Sequence, residues 1–211
     1  MPSGNGVSLT RLTGAFFPAC SRRLYACVRN RVFTSFTRAA TTRYIRYVNP
    51  PREKSHRLPR VSYQRDACVV FTACVADRHR LFDDAGAVLA CVDILRSVAG
   101  ARHCTIPIYC FMPDHLHVMA RGNDDTSDAW QMMVDFKQQT GFWLKQHKPH
   151  IHWQKDFHDH IVQRAADLGA QMRYIAANPV RKGLVADWRD YPHTGAIGIE
   201  LEPAINGALT L

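Results

Sequence analysis

The chain has 211 residues, 46% of them hydrophobic, and 27 Lys and Arg against 18 Asp and Glu, for a formal charge of +9. This is enough apolar material for one globular domain, and no run of about 18 apolar residues offers a membrane span. The charge is uneven: residues 1–52 hold nine arginines and no Lys, Asp or Glu, so the 18 basic residues that remain are matched by the 18 acidic ones.

Residues 1–60 therefore read as a basic, disordered N-terminal extension. Three origins fit its composition: a nucleic-acid-binding arm, an organelle transit peptide, or translation from a start codon placed too far upstream. Asn49-Pro-Pro-Arg52 interrupts any regular structure before the body begins. The domain is expected over 61–195 and a C-terminal tail over 196–211.

Cys68-Val-Val-Phe-Thr-Ala-Cys-Val75 is β-branched and apolar, the pattern of a buried strand. Asp83-Asp84 is a helix-start signal. Ala85, Val88, Leu89, Val92 and Leu95 then recur at helical spacing. Thr105–Met112 reads as a second strand, Pro113-Asp114 as a turn, and His115–Ala120 as a third strand ended by Gly122-Asn-Asp-Asp125. Ser127 or Asp128 caps a second helix that carries Ala129, Met132, Met133, Phe136, Thr140, Trp143 and Leu144 on one side. Trp153–Val162 reads as a short edge strand, and Asp167–Ala177 as a third helix stopped by Pro179. The tail after Pro192 shows little pattern. This order suits an α+β ferredoxin-like sandwich, an antiparallel sheet with helices on one face and the histidine strand at its centre.

The run Tyr109-Cys-Phe-Met-Pro-Asp-His-Leu-His-Val-Met-Ala120 carries the chemistry. Side chains two apart on a strand share a face, so His115 and His117 project together while Leu116 enters the core. Two imidazoles on a rigid strand are most of a metal site. On the third helix, Leu168, Met172 and Ile175 form a core stripe, and Asp167, Gln171, Tyr174 and Asn178 cluster beside it. Tyr174 and Asn178 are one turn apart and point the same way. The helix pattern alone also fits a tyrosine at the margin of a core. Two further pairs do not combine a strand, a preceding turn and an apolar spacer as the first does: His150/His152 lies in a polar loop, and His158/His160, beside Trp153, Phe157 and Asp159, reads as an outer shell of the site or simple packing. The seven cysteines include no C-x-x-C pair and read as reduced core thiols.

Three blocks in order carry a family resemblance: Met112-Pro-Asp-His-Leu-His-Val118; Trp153-Gln154 with Phe157-His-Asp-His160; and Tyr174-Ile-Ala-Ala-Asn-Pro-Val-Arg-Lys-Gly-Leu-Val185. Together they resemble the REP-associated tyrosine transposases, single-tyrosine HUH transposases of insertion sequences, over about residues 61–195. The resemblance implies an HUH endonuclease fold, a divalent metal held by His115 and His117, and Tyr174 as the DNA nucleophile. It places the third metal ligand one turn after the tyrosine, at Asn178, where related transposases often have glutamine. Lys137, Arg181 and Lys182 match basic residues and are expected to contact DNA. Tyr191-Pro-His-Thr-Gly195 replaces the family's Ser-rich closing turn.

The implied activity is cleavage and rejoining of single-stranded DNA at palindromic hairpins through a 5′-phosphotyrosine, with Mg²⁺ or Mn²⁺ as cofactor. The implied setting is the bacterial cytoplasm and nucleoid, as monomer or homodimer. Two other functions fit the same residues. One is a non-catalytic, domesticated hairpin-DNA-binding protein. The other is a metal-dependent phosphoesterase in which water attacks; a nucleotide-hydrolysing histidine triad needs one more alternating histidine, and position 119 is Met.

Overall fold

A computed structural model describes residues 58–206. The three readings of residues 1–52 fall outside the described residues, as does the end of the expected tail.

The apolar run after Ala67 forms β1 (Cys68–Cys74), and α1 (Ala85–Ala101) follows, with Asp84 accepting hydrogen bonds from Gly86 N and Ala87 N at its start. β2 (Cys104–Met112) and β3 (His115–Gly122) form a hairpin across Pro113-Asp114. α2 (Ala129–His147) is capped by Asp128 through Gln131 N. β4 (His158–Ile161) and α3 (Ala165–Ala176) complete the part read from sequence; α4 (Asn178–Arg181) follows beyond the stop expected at Pro179, which stands near its start. The strand expected over Trp153–Val162 is confined to β4, which pairs with β1; Trp153 ahead of it makes only an isolated bridge to Val75.

The stretch that showed little pattern contains β5 (Thr194–Ile197) and α5 (Leu201–Ile205). β5 pairs with β2, and Ala204 and Ile205 are buried with α3. Arg173 donates to the Ile205 carbonyl at 3.0 Å. The folded unit therefore continues past the boundary expected at residue 195. Four-residue strands and five-residue helices carry too few turns of periodicity to stand out in a sequence.

The five strands order as β4-β1-β3-β2-β5, antiparallel throughout, and β3 is central as expected. A register shift between Thr105 and Ile108 centres on Pro107, whose missing N–H suits a bulge. It exchanges the faces of β2: Ile106 and Phe111 look one way, Ile108, Cys110 and Met112 the other.

On one face, α1 and α2 cover Val69, Phe71, Ala73, Phe111, Leu116 and Val118. The expectation of helices on one face describes these two. α3 adds a layer on the opposite face, where Ile108, Cys110, Met112 and Met119 seat Leu168, Met172 and Ile175. The central strands are apolar on both sides, so both sides need covering.

The stripe on α1 differs from the expected one. Leu89 is 66% exposed, and Ala85 is exposed as well. Val88, Val92 and Leu95 of the expected stripe are buried, and Ala87, Cys91, Val98 and Ala99 join them. The small side chains Ala87, Cys91 and Ala99 let the helix approach the sheet, which rotates Leu89 outward.

Candidate metal and nucleophile site

His115 and His117 project from β3 on the α3 side, while Leu116 between them is fully buried against α1 and α2. Their Nε2 atoms lie 3.2 Å apart. Two nitrogens bound to one ion at about 2.0–2.1 Å, with an angle between 90° and tetrahedral, stand about 2.9–3.4 Å apart. The observed separation has the spacing of a chelating pair.

Each ring is oriented from a different element. His115 Nδ1–H donates to Asp114 Oδ1 at 2.5 Å, and Arg78 Nη1 donates to Asp114 Oδ2 at 3.0 Å. His117 Nδ1 meets the Thr72 hydroxyl at 2.9 Å, across the β1–β3 register pair Thr72↔His117. A proton on Nδ1 leaves Nε2 as a lone pair, the form that binds metal.

Burial disfavours the charged form of both rings. Burial lowers the His115 pKa against the opposing pull of Asp114. Burial, helped by the charges of His115 and Arg181, pushes His117 down to about 3. Asp114 is held below its ordinary range: burial works to raise it, and the hydrogen bond and charge of His115 with the charge of Arg78 outweigh that.

Asn178 is buried at the joint between α3 and α4, and its Nδ2 donates to the Ile175 carbonyl at 3.2 Å. Pro179 stands four residues after Ile175 and has no N–H to offer that carbonyl, so the amide substitutes for it. With Nδ2 committed, Oδ1 is the Asn178 atom suited to a cation. Among the described residues no three His, Cys, Asp or Glu side chains gather around a common point. Two imidazoles and an amide oxygen suit a divalent ion with open coordination positions.

Tyr174 is 37% exposed. Arg181 Nη2 donates to its hydroxyl at 3.2 Å, and the guanidinium carbon lies 4.3 Å from the ring centroid. The Arg181 charge is felt at His117 and that of Lys182 at His115. The nucleophile candidate, two cations and the histidine pair thus share one side of the sheet.

The other described tyrosines are spoken for. The buried Tyr191 hydroxyl donates to the Phe111 carbonyl at 2.8 Å, and burial pushes its pKa up to about 12. Tyr109 faces α1 and α2, is raised by burial, and lies so close to Gly195 that any side chain there would strike its ring. Tyr63 donates to Asp159 Oδ2 at 2.6 Å.

Lys137 is placed differently from Arg181 and Lys182. Its ammonium donates to the carbonyls of Gln154, Lys155 and Asp156, and so holds the loop before β4. Trp153 anchors the same loop through Nε1 to Thr140 Oγ1 at 2.8 Å. His150, His152, His158 and His160 are exposed. Sequence reasoning missed Thr72 and Arg78. Each is far from its partner along the chain: strand register pairs Thr72 with His117, and the turn after β1 brings Arg78 to Asp114.

The family model described as "Transposase IS200 like" matches residues 64–178, from β1's approach to the first residue of α4. A curated Haemophilus influenzae protein, named as a REP-associated tyrosine transposase, is 29% identical over 97 residues, 40% of this chain and 54% of its own. The chain spans about half the length of that relative. A solved structure of a REP-associated tyrosine transposase bound to a REP hairpin is similar with a TM-score of 0.55 and 21% identity, over 63% of this chain and 78% of that one. That likeness is one of fold.

Proposed function

This chain belongs to the IS200-like transposase family, and from that premise we propose that it is a metal-dependent single-stranded DNA nickase and strand transferase with Tyr174 as its nucleophile. The observation that carries the reading is the 3.2 Å approach of the two Nε2 atoms on the sheet face that also bears α3. His115, His117 and the Asn178 Oδ1 would hold Mg²⁺ or Mn²⁺. When bound, such an ion neutralises charge that develops on a phosphodiester oxygen, worth several kcal/mol.

The remaining steps belong to the chain. Arg181 and Lys182 attract the DNA phosphate, and Arg181 keeps a positive charge at the Tyr174 hydroxyl. Tyr174 Oη attacks phosphorus, its proton leaves to solvent, and the bond from phosphorus to the 3′ oxygen of the preceding nucleotide breaks. That oxygen takes up a proton to become a 3′-OH, and the 5′ phosphate remains esterified to Tyr174. Attack by another 3′-OH reverses the exchange and joins strands without a nucleotide cofactor. Positioning the phenol on a helix rather than a loop contributes by proximity.

The substrate proposed is single-stranded DNA next to a palindromic hairpin, as the REP-hairpin complex of the structural relative suggests. The test is incubation with end-labelled hairpin DNA and Mg²⁺ or Mn²⁺. The reading expects a protein–DNA adduct stable to denaturing electrophoresis and lost on chelation. Cleavage without an adduct would instead indicate water as nucleophile, and binding without cleavage a non-catalytic protein.

A further inference from the structure

The turn directly after β1 has an unusual backbone. Asp77 and Arg78 are both left-handed, with φ of 52° and 57°. A non-glycine residue in that region is uncommon, and such conformations persist only where the surroundings hold them. Here they are held: Val75 N donates to the Asp114 carbonyl at 2.9 Å, and Ala76 N to the His152 carbonyl at 2.8 Å. The turn is thereby tied to the residue that precedes the histidine pair.

The turn delivers the Arg78 guanidinium to Asp114. One carboxylate oxygen accepts from Arg78 Nη1, and the other accepts from His115 Nδ1. Arg80, two residues on, is engaged with its neighbour Asp83 at 2.6 Å. A carboxylate held at only one oxygen can rotate, and the imidazole it orients turns with it. Held at both, it fixes the ring plane and the proton position.

We propose that Arg78, acting through Asp114, is a positioning residue for the histidine pair, keeping the His115 proton on Nδ1 and its Nε2 lone pair toward His117. Its purpose rests on the metal reading above, but the His115 tautomer can be tested without metal. The left-handed backbone is tolerated because it brings this side chain to Asp114.

The experiment uses the full chain labelled with ¹⁵N-histidine and free of metal. Long-range ¹H–¹⁵N spectra report which His115 nitrogen carries the proton, calorimetry gives Tm, and Mn²⁺ binding is then followed by EPR. R78G removes the guanidinium and relieves the left-handed backbone, so Tm is held or raised. The His115 pattern should become a mixture of tautomers, and Mn²⁺ affinity should fall about tenfold. R78K keeps a cation near Asp114 and should recover most of both losses. R78N, which also tolerates the left-handed region, replaces R78G if glycine loosens the turn. An R78G protein with the wild-type His115 pattern would overturn the proposal. Failure of wild-type protein to bind Mn²⁺ would instead sink the metal reading, while the tautomer comparison still decides the role of Arg78.

Discussion

The Arg181 guanidinium lies over the Tyr174 ring, 4.3 Å from its centroid, and donates to the hydroxyl at 3.2 Å. Both residues are exposed. A cation–π contact at an exposed site is worth about 0.5–1 kcal/mol, so the pair adds little to stability. Its charge at an accessible phenol oxygen has a clearer use toward a phosphate.

Tyr174→Phe removes that oxygen and keeps the ring. At an exposed position the change in stability should stay within about 0.5 kcal/mol. The variant should retard hairpin DNA on a native gel and give no covalent adduct on a denaturing one. An adduct of undiminished yield would move the nucleophile elsewhere.

Arg181→Ala should weaken hairpin binding across sequences and lower the slope of log affinity against log salt by about one. Binding isotherms at several salt concentrations read this directly. A variant with unchanged slope would place Arg181 off the DNA path. Lys137→Ala, by contrast, should leave the slope unchanged, because that ammonium is held by the loop carbonyls before β4.

Asn178→Ala leaves the Ile175 carbonyl without its amide donor. Losing a partner for a buried polar group costs about 1–3 kcal/mol, seen as a lower denaturation midpoint in urea. If Oδ1 is also a metal ligand, Mn²⁺ affinity falls too. Loss of stability with unchanged affinity would leave the histidines without this third ligand.

His117→Ala should abolish metal binding and adduct formation while hairpin retardation largely survives, since phosphate contacts supply much of the affinity. Isothermal titration with Mn²⁺ and a native gel separate the two. Equal loss of both would mean that the ring holds the fold.

Burial pushes the thiols of Cys68 and Cys91 up to about 12 and those of Cys104 and Cys110 up to about 11. The reactive thiolate is therefore scarce at pH 8. Alkylation of the native protein followed by peptide mass spectrometry should leave these four unmodified, and urea should expose them. Rapid native labelling of Cys91 would contradict its place on the buried face of α1.

The sequence alone determined the features that depend on local backbone geometry. A strand's period of two fixes His115 and His117 on one face with Leu116 on the other, whatever surrounds them. The helical period likewise fixes the buried row Leu168, Met172 and Ile175 and puts Tyr174 outside it. Tertiary structure decided what depends on register between distant segments. The pairing of β1 with β3 sets Thr72 beside His117, and the left-handed turn after β1 brings Arg78 to Asp114. The same pairing puts the histidines on the sheet face that α3 covers, while Tyr109 packs against Gly195 of β5 and Tyr191 donates to Phe111 of β2. Such contacts arise only once strands choose partners, and that choice is made by the apolar faces of the whole sheet together.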